Sequence, residues 1–244
     1  MEPRRPPWVA AEAIRQVATR FRHGAGRLPR PAWRRWVATV AGGYVALVAL
    51  TLGLVAAARL AVEAGVLAWE PAFLRALEAR SPLDFSAAVW IQTLGTDITL
   101  LLVVLFAVGA AAWAGRPLRA LSIVAAYLPT DLVVRLAWLL WDRQRPDLIL
   151  EGIVAPGFAS FPSGHTAKTV AVYGILAFLW ARASRNPIER AVAAALALAI
   201  TLAVIFGRLR MGVHWPSDIA AGALIGGAWL AVLAVALGRG ERGG

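Results

Sequence analysis

The chain has 244 residues, 59% of them hydrophobic, no cysteine, and a formal net charge of +11. Soluble domains run near ~45–50% apolar, so a mean hydropathy of +0.66 excludes an ordinary soluble globule and marks a multi-span membrane protein. The arginines flank apolar runs and form no single basic face, which argues against nucleic acid as a partner and for membrane lipids. The lack of cysteine removes disulfides and thiolate chemistry and leaves the compartment open.

Residues 1–35 hold nine arginines and read as a basic cytoplasmic tail. Ala10, Ile14, Val17 and Phe21 recur at helical spacing among Arg15, Arg20 and Arg22, as in an interfacial amphipathic helix. A disordered basic tail is the alternative. The apolar run begins too late for a cleaved signal peptide.

From Trp36 the periodicity predicts an all-α membrane-embedded domain over residues 36–240, a bundle of six transmembrane helices. The spans fall at roughly 37–62, 86–114, 118–141, 164–181, 190–207 and 215–237. Gln92, Gly95 and Asp97 interrupt the second, which predicts a short surface helix leading into a span from about Thr96 to Trp113. By parity the tail, Arg116 and Arg119, the loop with Arg182, Arg185 and Arg190, and the end with Arg239 and Arg242 share one side. They are the positive-inside segments. The 63–85 loop, with Glu63, Glu70, Glu78 and Asp84, falls on the extracytoplasmic side.

The same parity gathers the polar motifs at that outer face. Arg145-Pro146 follows span three, Pro162-Ser163-Gly164-His165 opens span four, Arg208 closes span five, and His214 with Asp218 opens span six. Only three histidines exist in the chain, and two of them are here. This set suits phosphoryl transfer, which needs a nucleophile, a proton for the leaving oxygen, and positive charge around the phosphate. His214 is the nucleophile candidate. Asp218, one helical turn on, is placed to accept its other ring N–H. His165 is the candidate acid. Arg145 and Arg208 offer bidentate forks, Ser163 is an N-cap candidate, and Gly164 admits an anion to the helix N-terminus. Two histidines and a carboxylate also suit zinc, but the two arginines argue against a cation, so neither metal nor cofactor is expected.

Arg145-Pro146, Pro162-Ser163-Gly164-His165 and Arg208-x5-His214-x3-Asp218 resemble the three-part signature of the type-2 phosphatidic acid phosphatases, or lipid phosphate phosphatases. The resemblance spans roughly residues 37–240. It implies a six-helix membrane fold and metal-independent hydrolysis of a lipid phosphate. The catalytic set would be His165, His214 and Asp218, with Arg145, Ser163, Gly164 and Arg208 around the phosphate. Two positions depart from the pattern. Trp138 stands where the family has a lysine, and Gly207 where it has a serine. Lys168, the chain's one lysine, and the deeper Arg135 are the candidates to compensate. The expected substrate is undecaprenyl pyrophosphate first, then other lipid phosphates, met at the periplasmic side of an inner membrane. The alternatives are a lipid phosphotransferase using the same intermediate, or a phospholipid-binding or translocating protein without turnover.

Overall fold

A computed structural model of the chain describes residues 7–147 and 159–241. Over these it is all-helical. In order come α1 (Pro7–Arg27), α2 (Arg30–Glu63), α3 (Glu70–Arg80), α4 (Phe85–Gln92), α5 (Asp97–Trp113), α6 (Pro117–Leu140), α7 (Gly164–Ala183), α8 (Pro187–Arg210) and α9 (Pro216–Glu241).

Helix α2 starts at Arg30, several residues before the expected boundary near Trp36. Pro29 is its N-cap and Pro31 sits in its first turn, where a missing N–H costs little. The last residues of the basic tail therefore belong to the spanning helix. The interrupted second span divides as its sequence suggests. Asp84 caps α4 through the Ala87 N–H at 2.7 Å, a 3-10 turn covers Thr93–Gly95, and α5 follows. Gly95 is needed at the bend, because a Cβ there would meet Val204 Cγ1 at 2.7 Å and Thr169 Oγ1 at 2.8 Å.

Helix α2, the α4–α5 stretch, α6, α8 and α9 are long and apolar enough to cross a membrane. The fourth expected span, α7, is not among these five. Its first turns carry His165, Thr166, Lys168 and Thr169, which lowers its apolar character, and the last three are buried in protein. It is the central helix, packed against α6, α8 and α9.

The core lies between α6, α7 and α9, where Ile123, Val133, Val134, Val172, Ile175, Ile225, Trp229 and Leu233 are buried. Gly222 and Gly226 let α9 approach the backbone of α7 closely, as small residues do between membrane helices. The buried indole of Trp229 donates to Ala125 O at 2.6 Å, and that of Trp36 to Ser122 Oγ at 3.0 Å, so neither N–H is left unsatisfied.

At one end of the bundle the basic segments collect. Glu241 receives Arg119 at 2.9 Å and Arg182 at 2.8 Å, and Arg35 donates to Arg239 O at 2.9 Å. Helix α1 lies against α5 there, with the Arg20 guanidinium 4.1 Å from the centre of the Trp113 ring. Arg242 lies outside the described residues.

Candidate active site

At the other end three chain segments meet. Helix α6 stops when Trp141 turns extended, and the non-helical stretch that follows carries Arg143 and Arg145. Ser163 then caps α7, its Oγ accepting from the Thr166 N–H at 3.4 Å and from Thr166 Oγ1 at 3.1 Å. Its own N–H donates to Asp218 O at 3.0 Å, which ties the start of α7 to the first turn of α9. Gly164 leaves room for a neighbour, since a Cβ there would sit 3.3 Å from the Trp138 ring. After α8, Gly212 takes a left-handed turn at φ +65°, and the chain doubles back to set His214 just ahead of Pro216.

His214 is 1% exposed. Its Nε2 lies 3.3 Å from Arg208 Nη2 and 3.4 Å from Arg145 Nη1. A guanidinium only donates, so Nε2 must present its lone pair and the ring proton belongs on Nδ1. Burial first, then the charges of Arg208 and Arg145, hold the His214 pKa well below the usual 6.5. The ring is therefore neutral at physiological pH, the form a nucleophile needs.

Both arginines are anchored by neutral acceptors. Arg145 Nη1 donates to Val213 O at 2.6 Å, and Arg208 Nη1 to Gln92 Oε1 at 3.3 Å. The Nε of Arg208 has no hydrogen-bond partner among the described residues. His165 sits half-buried on the first turn of α7, where the charges of Arg208, His214, Lys168 and Arg145 all reach its ring. The structure thus brings together all seven residues singled out in the sequence: Arg145, Ser163, Gly164, His165, Arg208, His214 and Asp218.

The detail around Asp218 differs from the simple pairing expected. Its Oδ2 lies 3.5 Å from His214 Nδ1, a long contact, and the backbone of Ser160 also faces that ring. The carboxylate is held instead by Arg143 Nη1 on Oδ1 at 2.6 Å and by the Trp215 N–H on Oδ2 at 2.8 Å. Arg143 in turn reaches Glu70 Oε2 at 2.6 Å. Neither Arg143 nor Glu70 was singled out by the sequence, although one signal was present. Arg143 breaks the positive-inside pattern in the same way as Arg145 and Arg208.

The two compensators expected for the absent lysine are engaged elsewhere. Lys168 Nζ is held between Asp97 Oδ1 and Asp131 Oδ1, the latter at 3.0 Å, and Arg135 Nε pairs with Asp131 at 2.6 Å. One turn of helix separates Lys168 from His165, but the two carboxylates beside α7 draw the ammonium to themselves. This corrects the expectation that Lys168 supports the phosphate. Trp138 has a role of its own at the position, its indole donating to Pro162 O at 3.1 Å and so bracing the turn ahead of α7.

With this geometry in view, the comparisons with known proteins are direct. Residues 119–241, half of the chain, match the PAP2 superfamily, and the chain belongs to it. Among curated proteins it is similar to the decaprenylphosphoryl-5-phosphoribose phosphatase of Mycobacterium tuberculosis, 36% identical over 86 residues, or 34% of this chain and 42% of that one. The chain therefore spans less than half the length of that relative. Among solved structures it resembles a PAP2-type phosphatidylglycerolphosphate phosphatase from Bacillus subtilis, with a TM-score of 0.64, 24% identity, and coverage of 82% of this chain and 97% of that one. It also resembles Aquifex aeolicus LpxE, with a TM-score of 0.51, 22% identity, and coverage of 68% and 93%. Both likenesses support the all-helical membrane fold.

Proposed function

We propose that the chain is an integral membrane phosphatase of lipid-linked phosphates, working through a phosphohistidine on His214 with no metal ion. One observation carries the reading. Two guanidiniums converge on the lone-pair nitrogen of a buried, neutral imidazole, Arg208 at 3.3 Å and Arg145 at 3.4 Å. Among the described residues no carboxylate lies within ion-pair distance of Arg208, so a phosphate is the natural counter-charge.

The chemistry follows from the placement. Nε2 attacks phosphorus, the bond from phosphorus to the leaving oxygen breaks, and His165 gives that oxygen its proton. Arg145, Arg208 and the N–H groups at the start of α7 hold the equatorial oxygens, with Ser163 and Gly164 shaping that start. Water then attacks the phosphohistidine, His165 takes its proton, and inorganic phosphate leaves. Asp218 favours the positive charge that the ring acquires in between.

The substrate is taken as a polyprenyl-linked phosphate or pyrophosphate, undecaprenyl pyrophosphate first. The decaprenyl-linked substrate in the name of the mycobacterial relative supports that class. The basic tail ahead of α2 is cytoplasmic, the bundle from α2 to α9 is the catalytic membrane domain, and the site faces the outside. The gathering of Arg119, Arg182 and Arg239 at the opposite end supports this orientation.

The test is phosphate release by purified protein from undecaprenyl pyrophosphate, phosphatidic acid and phosphatidylglycerophosphate in EDTA. Release that survives EDTA, stops with vanadate, and disappears in His214→Ala is expected. Activity that dies in EDTA and revives with zinc would overturn the metal-free mechanism. Transfer of the phosphoryl group to added alcohols in preference to water would make the protein a phosphotransferase.

A further inference from the structure

The Asp218 carboxylate has a problem that the site residues alone do not solve. Its Oδ1 is bonded to the Arg143 guanidinium at 2.6 Å. That cation stands closer to the carboxylate than His214 does, and it cancels much of the negative charge the histidine would feel. With Arg145 and Arg208 on the other side, the ring would face three cations and one neutralised anion.

Glu70, the first residue of α3, answers this. Its side chain is 2% exposed and its Oε2 receives Arg143 Nη2 at 2.6 Å. Its Oε1 accepts the Ser217 N–H at 2.8 Å, in the first turn of α9. Arg143 also donates to Ser217 Oγ at 2.7 Å and lies 5.5 Å from the ring centres of both Trp141 and Trp215. The guanidinium is thus fixed on several sides and shared between two buried carboxylates. A buried ion pair often adds little net stability over well-packed apolar residues, so its placement beside Asp218 is the informative feature.

We infer that Arg143 and Glu70 are positioning residues for the reaction. Arg143 anchors Asp218 so that Oδ2 faces His214, and Glu70 offsets the charge of Arg143 so that Asp218 still stabilises the charged ring. The inference rests on the phosphohistidine reading and extends the site to α3, a helix that none of the sequence motifs includes. Attack on phosphorus turns the neutral His214 ring into a cation. The groups facing that ring are Arg143, Arg145, Arg208, His165 and Asp218, and Glu70 supplies the second negative charge that offsets them.

Glu70→Gln is the informative change, because it keeps the acceptor for Ser217 and the shape while removing the charge. We expect kcat on phosphatidic acid or undecaprenyl pyrophosphate to fall about 10-fold with KM within about 3-fold. The acid limb of the pH profile should move to lower pH, since an uncompensated Arg143 makes His214 harder to protonate. Adding Arg143→Gln should restore part of the loss, as the double variant removes both charges while the substituted amide can still donate to Asp218 Oδ1. A merely structural brace gives the reverse: a double variant at least as impaired as Glu70→Gln, with an unmoved acid limb, and either result would overturn the proposal.

A second readout needs no turnover. With three histidines in the chain, nitrogen NMR of labelled protein can follow His214, assigned by its loss in His214→Ala. Its titration should fall in Glu70→Gln and recover in the double variant. If wild type releases no phosphate from any lipid yet His214 responds in this way, the phosphatase reading fails and the charge linkage stands. If wild type is active and His214 does not respond, the linkage fails alone.

Discussion

The two ends of the bundle both carry arginines, but they use them differently. At the end where α1 lies, Arg119 and Arg182 share Glu241, and Arg182 is 37% exposed. Such pairs are screened by water and contribute roughly 0–1 kcal/mol each. At the other end Arg208 is buried, leans on the amide of Gln92, and leaves its Nε without a partner among the described residues. Burying a cation this way is costly unless an anion arrives. A half-exposed arginine paired with a carboxylate has its charge already matched, whereas one buried against neutral groups is suited to take up an anion.

That contrast can be broken by experiment. Arg208→Gln should lower kcat/KM by at least about 100-fold, the scale for losing a preorganised charge contact. Arg182→Gln should stay within about 2-fold of wild type in the same phosphate-release assay. Comparable losses would erase the distinction between the ends. A smaller effect is expected at the α7–α9 crossing, where a Cβ on Gly222 would come 2.5 Å from Ser163 O. Gly222→Ala must displace the cap of α7, at a cost of about 1–3 kcal/mol and an activity loss on the order of 10-fold. Gly227 has open space beside it, so Gly227→Ala should match wild type in both assay and melting curve. At Lys168 the expected effect falls on stability rather than on activity. Lys168→Met leaves Asp97 and Asp131 without their shared cation, though Asp97 is half exposed. Thermal stability in detergent should drop by about 2 kcal/mol while activity stays within about 3-fold, because the ammonium does not serve the phosphate. Lys168→Met combined with Asp131→Asn should recover part of the melting temperature. A 100-fold activity loss without a stability change would return Lys168 to the phosphate site.

The all-α architecture, the broken second span and the convergence of Arg145, His165, Arg208 and His214 were legible in the sequence. Apolar periodicity and loop parity are local properties, and together they fix which helix ends share a face. What stayed hidden depends on side chains meeting across long separations. Glu70 reads as one of several acids in an outer loop, and only folding puts it against Arg143, 73 residues away. Lys168 misled for a related reason. Helical spacing placed it near His165, but spacing says nothing of Asp97 and Asp131 on neighbouring helices. The family-like pairing of His214 with Asp218 was visible as an i, i+4 relation, whereas the competing hold of Arg143 and the Trp215 N–H was not.

The burial of α7 has a consequence for how the protein is made. A helix whose first turns carry His165 and Lys168 partitions poorly into lipid by itself, since a lysine inside the bilayer costs a few kcal/mol at least. The carboxylates that receive Lys168 lie on α5 and α6, both synthesised earlier. When α7 leaves the ribosome, its counter-charges have already been synthesised. The order of the chain thus supplies the acceptors before the donor, and α7 packs against helices that already carry its counter-charges.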